Sequence, residues 1–256
     1  LRVVIGGTAL FAVAHSRYPD RDFSGADIRG FVALGVLVTA TIATQFVGTD
    51  LTNASQGSLL TVATPVFTVL LGAALLDETV TIRRALGITL AAVGTVVVII
   101  GQHDLSTLGS ANLLGVSALL LASLAWGGYT VWGKPLVRRT SALETATYAT
   151  LASIPMLGVL AGIELAVEGI SPTALPRTLP VIAAIAYLGL GSTALAWYLW
   201  YKGLEYVDAG TVAVFFFAQP LVGGALGAIF LSESIGPLFA LGGLVMAAGV
   251  YLTSTE

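Results

Sequence analysis

An all-α polytopic membrane protein is the fold class the sequence predicts, with nine visible transmembrane helices of a ten-helix inverted-repeat bundle. Three observations predict it. The 256 residues are 56% hydrophobic and only 10% charged, with 30 glycines and a mean hydropathy of +0.93, whereas a soluble domain carries about 25% charged residues. The apolar residues gather into continuous runs, most of them near the ~20 residues that cross the ~30 Å hydrocarbon core of a bilayer. Two stretches also match in register 155 residues apart.

The same composition excludes several classes. An ordinary soluble enzyme or a disordered chain could not carry so little charge. A net charge of −3 and a pI near 5.3 leave no basic footprint for a phosphate backbone, so no nucleic acid is expected as a partner. The chain has no cysteine and two histidines, His15 and His103. It therefore lacks a disulfide framework and a thiolate site, and no metal or cofactor is expected.

The runs follow one another along the chain. The first, 1–14, reaches only about 21 Å as a helix. Its Arg2 and Ala12-Val13-Ala14 imitate a cleavable signal peptide, but it also fits the tail of a helix that begins ahead of Leu1. Next come 28–47 and 54–76, the latter carrying Pro65 and stopping before Glu78; 84–100 begins at Arg84, just after Arg83. The polar stretch 101–111 separates a first domain, 1–100, from a second, 112–256. In the second domain the runs are 112–133, 143–166, 179–201, 209–231 and 236–252. Their length and unbroken apolarity suit helices, since barrel strands are about 10 residues of strict alternation.

Basic residues set the expected orientation, because lysine and arginine mark cytoplasmic loops. Arg17, Arg21, Arg29, Arg83, Arg84, Lys134, Arg138, Arg139 and Lys202 fall on one set of alternate loops and span edges, and Arg177 alone on the other. The first set and the C-terminus are thus expected in the cytoplasm, in a prokaryotic plasma membrane. A cleaved signal peptide would put 15–27 outside and reverse that bias, which favours the truncated helix.

The repeat lays 52–87 over 207–242 without a gap. Pro65 falls on Pro220, Gly72 on Gly227, Glu78 on Glu233, Gly87 on Gly242 and Gly94 on Gly249. The run 112–133 has its expected partner ahead of residue 1, which gives ten helices in two sets of five. Five is odd, so the second set must be inverted relative to the first, the usual construction of secondary transporters.

A-T-P-V-F-T-V-L-L-G-A-A-L-L-D-E at 63–78, A-Q-P-L-V-G-G-A-L-G-A-I-F-L-S-E at 218–233 and L-A-W-G-G-Y-T-V-W-G-K at 124–134 together resemble the EamA-type members of the drug/metabolite transporter superfamily. The resemblance covers essentially the whole chain apart from the first family helix. It implies a ten-helix, alternating-access carrier for small organic solutes, often an exporter. Asp77 and Ser232 stand where glycine commonly precedes the glutamate, and Gln219 occupies a position that is often apolar.

Each candidate residue has a bland reading beside its functional one. Pro65 and Pro220 sit mid-run, where proline removes a helix hydrogen bond; they are either hinges beside a cavity or static kinks. Glu78 and Glu233 precede a helix start, where a carboxylate caps free N–H groups; ion coupling is the alternative. Gln45, Thr61, Thr64, Trp126, Tyr129, Tyr148, Tyr187, Trp197 and Gln219 are the polar and aromatic residues that could bind substrate along a route. Aromatic walls with a few amides suit amino-acid-like or drug-like solutes. Trp200, Tyr201 and Tyr251 are read instead as an interfacial belt. G-G-Y-T-V-W-G-K-P at 127–135 approaches a phosphate-binding loop, but Pro135 replaces the hydroxyl and no strand precedes it.

The expected function is a secondary transporter of a small-molecule solute in the lipid bilayer, with a homodimer left open. A non-transporting receptor or scaffold with a carrier fold is the alternative. The lack of a buried acid, histidine or cysteine cluster argues against an enzyme.

Overall fold

The computed structural model describes residues 1–19, 21–52, 60, 63–102, 113–169, 171, 178–231 and 236–255. Thr61 and Glu233 lie outside the described residues, as do the side chain of Pro220 and the polar stretch at 103–112. Every regular element among the described residues is helical.

The helices are α1 (Arg2–Arg17), α2 (Gly25–Asp50), α3 (Ala63–Leu75), α4 (Ile82–Gln102), α5 (Leu113–Arg139) and α6 (Ala142–Glu168). There follow α7 (Leu179–Ala186), a π-helical segment (Tyr187–Leu195) and α8 (Ala196–Leu204) as one continuous rod. Then come α9 (Ala209–Val214), a 3-10 turn (Phe215–Phe217), α10 (Ala218–Leu231) and α11 (Pro237–Ser254). Five rods are long and apolar enough to cross a bilayer: Gly25–Asp50, Leu113–Arg139, Ala142–Glu168, Leu179–Leu204 and Pro237–Ser254. They coincide with the apolar runs 28–47, 112–133, 143–166, 179–201 and 236–252.

Two stretches depart from a plain α-helix. Within 179–204, Thr193 donates its hydroxyl to Leu188 O at 2.7 Å, a back-bond over five residues inside the widened π turn. In 209–231 the helix tightens at Phe215–Phe217, one turn ahead of Pro220. A proline has no N–H to bond the carbonyl four residues back, here that of Phe216. Pro65 lies two residues into the described part of α3 and is buried.

The chain forms two compact units, each drawing on both halves of the sequence. One comprises 1–43 and 132–206, the other 44–131 and 207–256. In the first, α1 meets the π segment at glycine: a Cβ on Gly6 would lie 2.8 Å from Gly189 O and from the Thr193 methyl. Tyr201 is fully buried there, its hydroxyl 2.6 Å from where a Gly133 Cβ would be. The interfacial reading of Tyr201 is therefore corrected; the bare backbone of Gly133 lets the ring turn inward.

In the second unit α4 and α11 pack backbone to backbone. A Cβ on Gly94 would fall 2.7 Å from Gly242 O, and one on Gly249 would fall 2.6 Å from Gly87 O. Low-numbered residues of one helix meet high-numbered residues of the other, so the pair is antiparallel. Small residues permit this approach where lipid offers no hydrophobic drive between helices. The core of the unit, Val69, Ile88, Ala91, Val214, Phe217 and Met246, builds on the same seam.

Candidate functional site

Within the second unit, α3, α4 and α9 bring four polar side chains together. Glu78 sits just past α3, and its two oxygens accept from the backbone N–H groups of Ala209 (2.9 Å) and Gly210 (3.3 Å). These are orphan donors at the N-terminus of α9, where a carboxylate also opposes the helix dipole. The sequence placed Glu78 at the start of the next helix, α4. There Thr81 does that work instead, accepting from Arg84 N at 3.1 Å. The assignment is corrected because the turn after α3 folds back: Glu78 N bonds Gly72 O at 3.3 Å, and only the missing side chain of Gly72 leaves room for the carboxylate.

Arg84 completes the cluster. It is only 6% exposed, although the sequence reading counted it as a charge at a span edge. Its guanidinium donates to Thr79 O (3.1 Å) and Thr211 Oγ1 (3.0 Å), and pairs with Asp208 at 3.4 Å. Asp208 precedes the first residue of α9, so both carboxylates attend one helix terminus.

The aromatic candidates gather in two places. In the second unit the Trp126 ring lies 5.1 Å from Tyr129 and 6.2 Å from Phe216, as the three-residue spacing on α5 allows. Tyr129 is buried, as is Thr64, while Gln45 and Gln219 are exposed. In the first unit Tyr148 stands 4.7 Å from Phe23 and 5.2 Å from Phe31. Trp197 is buried there, and Tyr187 is 68% exposed at the start of the π segment.

Sequence reasoning missed two charged positions. Glu144 is buried, bonded to Ser141 in a reciprocal cap of α6 and paired with Arg21 at 3.3 Å. The Ser-x-x-Glu spacing at 141–144 was the available signal. Arg2 donates to Thr193 Oγ1 at 2.9 Å and reaches Ser192 O at 3.4 Å. Those residues lie about 20 Å from the start of the Leu179–Leu204 span, so a cation sits against the middle of an apolar rod. Its place inside a 14-residue apolar run was the clue.

One cavity, of about 690 Å³, lies in the first unit, bounded by α1, the α5–α6 turn, the π segment and α8. None of the sequence-derived candidates lines it. No group of three or more metal-ligating side chains occurs among the described residues.

Spanning helices of this length and apolarity define an integral, multi-pass membrane protein. The chain belongs to the EamA-like transporter family, whose pattern matches residues 1–100 and 113–255. An Archaeoglobus fulgidus protein named an uncharacterized transporter is 30% identical over 223 residues, 86% of this chain and 73% of that one. A Streptantibioticus cattleyicolor protein named a probable terminal-alkyne amino-acid exporter is 30% identical over 204 residues, 78% of this chain. The matched part spans 63% of that relative's length. A solved crystal structure superposes with a TM-score of 0.80 at 19% identity, covering 99% of this chain and 84% of its own, which shows the fold.

Proposed function

We propose that the protein is a secondary carrier that exports small organic solutes by alternating access between two inverted five-helix repeats. The observation that carries the reading is the α4–α11 crossing. Gly94 faces Gly242 and Met246, while Gly249 faces Gly87 and Ala91. Shifting either set by the 155-residue repeat returns the other, so equivalent positions meet reciprocally. Reciprocal contacts are the mark of a two-fold axis, and the antiparallel course of the helices is what an axis in the membrane plane requires. Two nearly equivalent halves give inward-open and outward-open forms of similar energy, the condition for a carrier.

Within the second unit, Trp126 beside Tyr129 and the exposed amide of Gln219 are the aromatic and amide groups assigned to the solute. Pro65 and Pro220 shape the bends beside it. The family membership and the exporter name of one relative favour an amino-acid-like or drug-like solute moving outward. Reconstituted into proteoliposomes, the protein should drive flux or exchange of members of a broad amino-acid and drug panel. Trp126→Phe and Gln219→Ala should each weaken apparent affinity by roughly 2- to 10-fold, the weight of one aromatic contact or one hydrogen bond, with helix content unchanged. Absence of both flux and exchange across the panel would favour a receptor or scaffold; unaltered affinity in both variants would remove them from the solute surface.

A further inference from the structure

The cavity of the first unit has a polarity that changes along its length. Its walls are apolar at Leu10, Val13, Leu190 and Leu195. Toward the C-terminal ends of α1 and α8 the lining becomes Arg17, Tyr18, Tyr198, Lys202 and Glu205. Both helices change character in the same direction. Lys202 lies two residues from the end of the Leu179–Leu204 span, so the polar end sits at a bilayer interface and the apolar end at acyl-chain depth.

The charges at the polar end are unequal. Glu205 is committed: it accepts from Ala142 N at 2.9 Å, at the N-terminus of α6, and pairs with Lys202. Lys202 also stands over the Tyr206 ring. Arg17 makes no hydrogen bond or ion pair among the described residues and is exposed at the cavity mouth. An anionic group is therefore favoured there, and an apolar chain beyond it. Basic pockets between membrane helices bind lipid headgroups on this principle.

We propose that this cavity holds one anionic phospholipid, its phosphate against Arg17 and an acyl chain along Leu10, Val13, Leu190 and Leu195. A lipid explains what a solute does not: Val13 and Leu195, each 55% exposed, are apolar walls open to the side, which acyl chains fill in a membrane.

Native mass spectrometry of the intact protein, released from detergent containing phosphatidylglycerol or phosphatidylcholine of identical chains, tests this. One phosphatidylglycerol should be retained in preference to phosphatidylcholine. Arg17→Gln should reduce that preference about fivefold, the weight of one basic residue near an anionic headgroup. Val13→Trp and Leu195→Trp add bulk at exposed positions outside the core, and either should lower retention of both lipids. Equal retention of the two lipids, or an unchanged preference in Arg17→Gln, overturns the proposal. Inorganic phosphate that displaces the lipid at equal concentration would make it a simple anion subsite. Displacement by transported solutes would make it part of the solute route, and either result also overturns the lipid assignment.

Discussion

At Glu78 one carboxylate serves two backbone N–H groups that lie 131 and 132 residues further along the chain. Hydrogen bonds to a charged group contribute about 1.5–3 kcal/mol. Glu78→Ala should therefore lower stability by about 2 kcal/mol, measured as a shift in thermal unfolding of the detergent-solubilised protein. Asp208→Ala should lose no more than about 1 kcal/mol, because Asp208 is 45% exposed on its side chain and such pairs are screened. Equal losses would mean that Glu78 does not cap α9. The neighbouring Asp77 has φ +54°, in the left-handed region where a Cβ costs about 1–2 kcal/mol and only glycine, asparagine and aspartate settle routinely. The resemblance had placed glycine at this position, and the backbone gives the reason. Asp77→Gly should be neutral or stabilise by up to about 1 kcal/mol, and a clear loss would show that the Asp77 side chain holds the turn.

At the scale of elements, α4 and α11 offer the sharpest test. Their approach leaves no room for a methyl group at Gly94 or Gly249, where the nearest atoms are backbone. Backbone cannot turn aside as a side chain can. Gly94→Ala and Gly249→Ala should each cost about 1–3 kcal/mol, the range for overpacking, and the two losses should be alike because the positions are related by the repeat. A loss at one and none at the other would deny the reciprocal seam. Much of this level was legible in the sequence. Apolar runs located the spanning rods to within a few residues, and the gapless repeat singled out Gly87, Gly94, Gly242 and Gly249 before any contact was known. The burial of Arg84, Glu144 and Tyr201 was not legible. Each depends on partners distant in sequence or on a glycine opposite, and periodicity within one helix carries no trace of either. The π segment was equally hidden: Gly189, Ser192 and Thr193 suit an ordinary span, and it is the packing of α1, with Arg2 on the two hydroxyl residues, that marks the widened turn. The aromatic candidates divided for a related reason. Three-residue spacing brought Trp126 to Tyr129, but no spacing could foretell that Tyr148 would join Phe23 and Phe31.

For the molecule in its membrane, the inverted arrangement proposed above makes a demand on sidedness that separates it from any parallel duplication. Residues 155 apart must emerge on opposite faces, while the basic loops must share one. The natural absence of cysteine makes single-cysteine variants informative without further engineering. Arg83→Cys and Arg139→Cys occupy exposed positions and should both react with a membrane-impermeant thiol reagent from the cytoplasmic side of oriented vesicles. Val167→Cys, 77% exposed near the far end of α6, should react only from the other side. The reasoning is electrostatic at root: moving a lysine or arginine across the bilayer during insertion is disfavoured, and the expected orientation rests on nine basic residues on one set of loops and span edges against one on the other. Reaction of Arg83→Cys and Arg139→Cys from different faces would break the alternation of spans between them. The two halves would then run the same way, and the two-fold exchange of inward- and outward-open forms would lose its basis.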